Sequence, residues 1–266
     1  MSNLPLVLLL GSNGKLGSEF KSRFTCEGIN YLAIDTRLSD WQEKITKTKK
    51  IVLDVSGRNR NFGDLKNPQT GQMNKMKFLN FIATTKTPYL KLASAFILYD
   101  ENPRNSYAAQ SSLEVKVLLQ QTEKSAFPLY ILYTHAVFGG KSTDSFVDQL
   151  KVNQTKLNPD FSLDNPYDVR DFIHFDLLYR SVVDSLPAIL EMAPTVLRAE
   201  LGTGCGYQLQ DLLMYAGRKI DVLAPRIEPG KDSHELLIGQ RVIVAGKSNE
   251  KIQVIYLEDK LVNYLR

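Results

Sequence analysis

Short apolar runs alternate with segments of helical periodicity through the first half of the chain. The runs that predict strands are Leu4–Leu10, Tyr31–Ile34, Ile51–Val55, a strand within Tyr89–Leu98, and Leu129–Tyr133. The segments that predict helices are Leu16–Cys26, Trp41–Thr46, Gln72–Thr84 and Ser106–Lys124. Repeated strand–helix units favour a parallel sheet covered on both faces. Because crossovers are right-handed, we expect a doubly wound, Rossmann-like α/β sheet.

The pattern weakens in the second half, where residues 141–167 are rich in Asn, Asp, Ser and Thr. Order returns in a predicted strand, a helix, a glycine turn with a second helix, two further strands and a closing helix. The predicted strands are Val169–Phe175, Arg241–Ala245 and Ile252–Tyr256. The predicted helices are Asp176–Leu190, Leu209–Ala216 and Leu257–Leu265, and the glycine turn Leu201–Gly206 precedes the second of them. We therefore predict a main domain of residues 1–140 and about 168–215. The remainder, about 141–167 and 216–266, is predicted to form a small C-terminal lobe.

Three glycines stand directly after the first apolar run, at the spacing G-x-x-G-x-x-G. Gly11 permits a tight turn, Gly14 lets the backbone approach a ligand, and Gly17 lets helix and strand pack closely. The helix that follows presents free N–H groups and partial positive charge at its start, which favours an anion. A strand, a glycine turn and a helix together predict a pyrophosphate site of the dinucleotide type. A purely structural turn is the alternative.

A carboxylate ends the second predicted strand. Asp35 follows Gly17 by 18 residues, a position that suits hydrogen bonds to the adenosine ribose of NAD and repels the 2′-phosphate of NADP. Arg37 leaves NADP open, because an arginine there can accept that phosphate, and Asp35 can also be an ordinary turn residue. The predicted cofactor-binding set is Gly11, Asn13, Gly14, Lys15, Leu16, Gly17, Asp35, Arg37, Ser56 and Gly57.

Composition narrows the class of protein. The chain has 266 residues, 43% hydrophobic content and a net charge of +4 with dispersed basic residues, so we expect no nucleic-acid partner. Its two cysteines predict neither a disulfide framework nor a zinc site, and we expect no metal. The first apolar run is too short for a secretory signal, and no stretch approaches the roughly 20 apolar residues of a membrane span. We therefore expect a cytoplasmic protein.

Several separated motifs resemble the extended short-chain dehydrogenase/reductases, in particular the nucleotide-sugar epimerases, dehydratases and 4-keto-reductases. The resemblance covers about residues 5–215. It is carried by Gly11–Gly17, Asp35, Asn74, Ser94, Tyr107, Ala136–Gly139, Arg170–Asp176, the Gly-Thr-Gly turn Gly202–Gly204 and Tyr207–Leu212. It implies a nicotinamide cofactor, a sugar bound to a nucleoside diphosphate, and a homodimer.

The resemblance also implies roles for single residues. Tyr107 would be the general acid/base and Ser94 its hydroxyl partner, while Arg170 would approach the nucleotide diphosphate. His135 follows a strand near where nicotinamide and sugar would meet. For Arg170, an internal salt bridge, for instance to Asp168, is the alternative.

The chain departs from the family where a lysine is expected four residues after the tyrosine. Ser111 stands there, and shifting the alignment by one residue does not restore the pair. A tyrosine with an unperturbed pKa of about 10 is a poor base at neutral pH but can still donate a proton. We therefore expect either a keto-reductase or epimerase-like protein of polysaccharide or deoxysugar biosynthesis, or a catalytically silent binding module.

Overall fold

The computed structural model describes residues 5–35, 45, 49–56, 68–99, 106–140, 145–153, 165–228, 241–248 and 251–266. The chain divides into two compact units. The first unit comprises Met1–Ile97, Asn102–Leu132 and Val182–Arg198. The second unit comprises Leu98–Glu101, Tyr133–Ser181 and Ala199–Arg266.

The described elements alternate between strand and helix through the first half, as the hydrophobic pattern predicts. The strands are β1 (Leu6–Leu10), β2 (Tyr31–Ile34), β3 (Lys50–Asp54), β4 (Tyr89–Ser94), β5 (Leu129–Thr134), β6 (Ala136–Phe138), β7 (Val169–Arg170), β8 (Phe172–His174), β9 (Val196–Gly202), β10 (Tyr207–Gln208), β11 (Val242–Ile243) and β12 (Gln253–Tyr256). The helices are α1 (Lys15–Glu27), α2 (Pro68–Thr85), α3 (Ser106–Ser125), α4 (Phe146–Asn153), α5 (Phe175–Leu190), α6 (Leu209–Ala216) and α7 (Leu261–Leu265). A short 3-10 helix, Ala95–Leu98, follows β4.

Among the described residues, seven strands form one sheet in the order β12-β9-β5-β4-β3-β1-β2. β1 pairs in parallel with both β2 and β3, and β3 pairs in parallel with β4. The chain therefore steps from β1 to β2 on one side and then to β3 on the other. This reversal of strand order is the switch point at which open α/β sheets bind ligands. The predicted doubly wound, Rossmann-like sheet is confirmed.

The strands of the first unit are continuous apolar runs because they are buried in its core. Val7 to Leu10 and Ile51 to Leu53 are buried, as expected for parallel strands covered on both faces. Helix α1 contributes Phe20 and Phe24, which are fully buried and pack edge to face. The helix ends at Gly28, whose positive φ of +68° suits a left-handed cap.

The second unit holds smaller sheets, β10-β7-β11 and β6-β8, besides its share of the large sheet. One apolar cluster lies among its helices and short strands. The cluster consists of Phe138, Val147, Leu150, Phe172, Tyr207, Leu212, Ala216, Leu223, Leu261 and Leu265. In the described part of the chain, no helix has both the length and the apolar character that crossing a bilayer requires.

Some elements differ from the prediction, and one prediction cannot be compared with the structure. The single strand predicted over Val169–Phe175 is two strands, β7 and β8, separated at Asp171, and Phe175 already begins α5. Strand β9 was not predicted, because Arg198 and Glu200 interrupt its apolar pattern. The helix predicted over residues 41–46 falls almost wholly outside the described residues.

Candidate functional site

The glycine turn after β1 has no room for side chains at two of its positions. Gly11 has a φ of +78°, and a Cβ atom there would lie 2.7 Å from the Cα and N atoms of Ser56. A Cβ atom at Gly17 would lie 1.9 Å from the carbonyl oxygen of Gly11. These contacts require glycine at both positions. The turn therefore lies tightly between the start of α1 and the end of β3.

Helix α1 begins at this turn. The N–H of Gly14 donates to the carbonyl of Gly11 at 2.9 Å, and the N–H of Ser18 donates to the carbonyl of Gly14 at 2.8 Å. No acidic residue stands in the first turn of the described helix, which opens on Lys15. A cation at a helix start is unfavourable for the helix dipole, whereas an anion is favourable. The N-terminus of α1 therefore suits an anionic ligand.

Strand register aligns the other predicted cofactor residues with the turn. Leu10 is level with Ile34 on β2 and Asp54 on β3. Asp35, which is half-buried, and Ser56 therefore stand at the same carboxyl edge as the turn. Among the remaining candidates, Asn13 is exposed and Leu16 is half-buried, whereas Arg37 and Gly57 lie outside the described residues. Their cofactor roles stay predictions.

The predicted catalytic pair lies on β4 and α3, both in the first unit. Ser94 ends β4, and its hydroxyl oxygen accepts a hydrogen bond from the N–H of Phe96 at 3.3 Å. Tyr107 is the second residue of α3, and its side chain lies outside the described part of the structure. Ser111 follows one turn later on the same helix. The catalytic assignment stays a prediction.

A buried ion cluster lies at the end of β3 and in β4. The ammonium of Lys91 is 3.1 Å from Asp54 Oδ2 and 3.3 Å from Glu114 Oε2, and it donates to the carbonyl of Ser56 at 2.8 Å. The Lys91 and Asp54 side chains are 2% and 0% exposed. The hydroxyl of Tyr89 also donates to Asp54, at 2.7 Å. Burial works to lower the pKa of Lys91, but Asp54 and Glu114 raise it above its ordinary value, so the side chain stays charged.

In the second unit, His135 lies in a buried polar cluster. Its Nε2 atom is 3.0 Å from Glu200 Oε1, and both side chains are almost fully buried. The hydroxyl of Tyr99 donates to the same carboxylate, and the N–H of Gly246 donates to its other oxygen at 2.9 Å. Burial works to raise the pKa of Glu200, but hydrogen bonds from His135, Tyr99 and Gly246 lower it below its ordinary value. The predicted substrate contact of His135 stays a prediction.

Asp171 has a structural role that its motif did not reveal. Its carboxylate accepts hydrogen bonds from the N–H of Thr203 at 2.9 Å, the hydroxyl of Thr203 at 2.7 Å and the N–H of Gly204 at 2.9 Å. The N–H of Ala245 donates to it at 3.2 Å. Asp171 therefore fixes the Gly-Thr-Gly turn that follows β9 to the segment after β11.

Arg170 forms the internal salt bridge that the sequence left open. Its Nη2 atom is 2.6 Å from Asp168 Oδ2. Arg241 contacts the same buried carboxylate through Nη2 at 2.7 Å and through Nε at 3.2 Å. Arg241 is more than half exposed, and Arg170 is about a quarter exposed. The carboxylate of Asp168 thus holds the guanidinium groups of Arg170 and Arg241 together. The proposed contact of Arg170 with a diphosphate stays a prediction.

Comparison with known proteins gives structural neighbours but no sequence relatives. No protein-family model matches the sequence, and no curated protein matches it significantly. The UDP-N-acetylglucosamine 4-epimerase from Methanobrevibacter ruminantium M1, in complex with UDP-N-acetylmuramic acid, superposes with a TM-score of 0.68. That match has 16% identity and covers 100% of this chain and 97% of the epimerase.

Two further solved structures have the same fold over nearly their full length. MoeE5 in complex with UDP-glucuronic acid and NAD has a TM-score of 0.64 at 12% identity, and the match covers 98% of this chain and 92% of MoeE5. The dTDP-glucose 4,6-dehydratase from Bacillus anthracis str. Ames, in complex with NAD, has a TM-score of 0.58 at 11% identity. The match covers 97% of this chain and 89% of the dehydratase.

This chain has the fold of these enzymes. The resemblance found in the sequence is confirmed at that level, over almost the whole chain rather than only residues 5–215. Identities of 11–16% establish the fold alone, so cofactor and substrate have to be argued from this chain's own residues.

Sequence reasoning missed the buried charges that lie beside the predicted site residues. Lys91, Asp54 and Glu200 each interrupt or end an apolar strand, and this interruption was the available signal. A charge inside an apolar run can survive burial only with partners, which sequence alone does not identify. Among the described residues, no group of three or more His, Cys, Asp and Glu side chains is placed to hold a metal ion.

The lowered pKa of Glu200 predicts how stability depends on pH. Because the folded pKa lies below the unfolded value of about 4.3, ionised Glu200 stabilises the fold above that pH, and the contribution is lost as pH falls through the folded pKa. We expect Glu200→Gln to reduce the free energy of unfolding by about 1.5–3 kcal/mol at pH 7. The difference from wild type should shrink below pH 4, as measured by urea denaturation.

The matched control is Glu258→Gln, which removes an exposed carboxylate of the same unit. It should change stability little at either pH, because exposed ion pairs contribute weakly. An equal destabilisation by Glu200→Gln at pH 7 and well below pH 4 would contradict the assigned charge state.

Proposed function

We propose that this protein is an NAD-dependent enzyme that acts on a nucleotide sugar, most simply as a keto-reductase or epimerase-like protein. The observation that carries the proposal is the glycine turn at the switch point, where Gly11 and Gly17 leave room only for backbone and α1 begins. Backbone N–H groups and a helix start at the carboxyl edge of a parallel sheet form a pyrophosphate site. The solved structures with this fold that contain NAD support the choice of ligand.

Asp35 supports NAD as the preferred cofactor. It follows β2 at the carboxyl edge, level with the turn, as the register of β1 and β2 shows. A carboxylate at this position accepts hydrogen bonds from ribose hydroxyls and repels a 2′-phosphate. NADP remains the alternative because Arg37 follows two residues later.

The cofactor proposal predicts a selective effect of Asp35→Ala. NAD binding should weaken by about 1–2 kcal/mol, the scale of hydrogen bonds to a charged group. NADP binding should weaken less or improve, because the substitution also removes a repulsive charge. Isothermal titration calorimetry with both cofactors measures the difference. Glu27→Ala, which removes an exposed carboxylate from α1, is the control for net charge.

Equal losses for NAD and NADP would show that Asp35 does not contact the ribose. If wild-type protein binds neither cofactor, the dinucleotide site itself is refuted.

Arg170 and Arg241 support an anionic substrate. Guanidinium groups bind phosphate oxygens in bidentate geometry, and a shared carboxylate can hold two of them ready for a diphosphate. Asp168 provides that carboxylate, and the exposed part of Arg241 is accessible to solvent. The same contacts also describe a purely structural bridge, so the two roles have to be separated by experiment.

We expect Arg170→Lys to weaken UDP binding clearly while NAD affinity and melting temperature stay nearly unchanged. Lysine keeps the positive charge near Asp168 but cannot present two parallel N–H donors. Calorimetry with UDP and thermal unfolding are the measurements. Arg226→Lys alters another arginine of the same unit, one paired with Asp211, and should leave UDP affinity intact. A lower melting temperature with unchanged UDP affinity would make Arg170 structural.

For the chemistry, Tyr107 is proposed as proton donor and Ser94 as its hydroxyl partner. Hydride would pass from NADH to the carbonyl carbon of a keto-sugar, and Tyr107 would protonate the oxygen. Reduction needs only a tyrosine that donates, whereas oxidation of an alcohol needs a tyrosinate as base. The chain therefore suits a keto-reductase better than an enzyme that must also oxidise.

A catalytically silent binding module is the second candidate. It is favoured by Ser111, which stands one helical turn after Tyr107 on α3, where the resemblance implies a lysine. Such a protein would keep the dinucleotide or nucleotide-sugar ligand and lose turnover.

The setting of this function is part of the same proposal. We propose a cytoplasmic homodimer in polysaccharide or deoxysugar biosynthesis, with a nucleotide sugar as ligand and neither nucleic acid nor membrane as partner.

Two substitutions on α3 separate the enzyme from the silent module. In an enzyme, Tyr107→Phe should reduce turnover of a nucleotide keto-sugar by about 10²–10⁴-fold, the usual contribution of general acid catalysis. Ser111→Lys should change an existing rate and its pH profile. In a silent module, Tyr107→Phe changes nothing, and Ser111→Lys is the variant in which NADH oxidation would first be detected. Wild-type turnover that is indifferent to Tyr107→Phe would refute the catalytic assignment.

A further inference from the structure

The ion cluster around Lys91 lies beside the switch point of the sheet. β4 aligns Lys91 with Asp54, and Asp54 is level with Leu10, the last residue before the glycine turn. The ammonium donates to the carbonyl of Ser56, which follows β3 by two residues. Lys91 is thus bonded to the backbone that lies against the glycine turn on the β3 side.

Ser56 is the residue that Gly11 meets at the switch point. The closeness of its Cα and N atoms to Gly11 means that a small displacement of Ser56 moves the wall against which the turn rests. Two further bonds hold Ser56 to the cluster, since both its N–H and its hydroxyl donate to Asp54 Oδ1. The position of this wall therefore depends on the Asp54–Lys91 pair.

The third partner of Lys91 connects the cluster to α3. Glu114 follows Tyr107 by seven residues and Ser111 by three, so all three positions share one face of the helix. An ammonium has three N–H donors, and Asp54, Ser56 and Glu114 accept them at 2.8–3.3 Å. Lys91 is accordingly satisfied by the protein and acts through its neighbours.

Burial of these charges is costly, and stability alone does not account for it. A buried ion pair can often be replaced by neutral side chains of similar volume without loss of stability. In this cluster Asp54 ends β3, Lys91 is level with it on β4, and both are bonded to the backbone of Ser56 beside the turn. Their placement favours a role in fixing the geometry of that edge.

We propose that Lys91 is a positioning residue of the dinucleotide crevice. It fixes the Ser56 carbonyl against the glycine turn and ties this wall to the face of α3 that carries Tyr107. The inference rests on the proposed dinucleotide function of the turn. It assigns Lys91 no contact with the cofactor or the substrate.

The test uses a neutral double variant, Lys91→Met with Asp54→Asn. Lys91→Met alone leaves Asp54 buried without its cation and is expected to lower the melting temperature. In the double variant both charges are gone. The amide oxygen that Asp54→Asn introduces can still accept the bonds of Ser56, and its amide nitrogen can donate to the hydroxyl oxygen of Tyr89. We expect its melting temperature to return close to wild type. Lys116→Met, which alters an exposed lysine of α3, is the control.

Two readouts are taken on the folded double variant. NAD affinity, measured by calorimetry, should remain about tenfold or more below wild type, the scale of a hydrogen bond to a charged group. Amide hydrogen exchange, measured without cofactor, should accelerate at Gly14 and Val55, whose N–H groups bond to Gly11 and Leu10 across this edge. Exchange in α6 should stay as in wild type.

The outcomes separate this inference from the proposed function. Wild-type NAD affinity in the stable double variant, or unchanged exchange at Gly14 and Val55, would overturn the positioning role. If the wild type itself binds no NAD, the proposed function fails, and exchange at Gly14 and Val55 still decides whether Lys91 holds the turn.

Discussion

The close approach of backbone to backbone at Gly11 is the constraint on which the first unit depends. β1 must end, turn and start α1 while Ser56 arrives from β3 within contact distance. Any Cβ atom at Gly11 or Gly17 would force the strand, the helix or the neighbouring strand apart. The same constraint leaves N–H groups and a helix start at the carboxyl edge, an arrangement that suits an anion.

Both units use fully satisfied polar clusters to fix irregular backbone. In the first unit, Asp54 and Lys91 hold Ser56 where β3 ends. In the second unit, Asp171 holds the turn after β9, and Glu200 accepts bonds from His135, Tyr99 and Gly246. Buried carboxylates are tolerated in each case because several donors converge on them. Of these carboxylates, Asp54 ends β3 and Asp171 follows β7, whereas Glu200 lies within β9, two residues before its end.

The fold of the first unit could be predicted from sequence because its strands are apolar on both faces and its turn has steric requirements that few sequences meet. β9 was not predicted because it contains the charged residue Glu200. Burial of Glu200 depends on hydrogen bonds from Tyr99 and His135, which are distant from it in sequence. His135 was predicted to contact substrate, and its bond to Glu200 was not foreseen for the same reason. For Arg170, the nearby Asp168 made the salt bridge predictable, whereas the second guanidinium, from Arg241, comes from 73 residues further on.

The steric requirement for glycine at positions 11 and 17 also limits how such a chain can evolve. A related chain that bound no dinucleotide would still need both glycines, because substitution there would disturb the packing of β1, β3 and α1. Both glycines are therefore required by the architecture, whether or not a ligand is bound. The glycine turn offers the place for an anionic ligand, and the polar residues at its rim, which packing alone does not demand, are the positions where a difference in ligand would be expected.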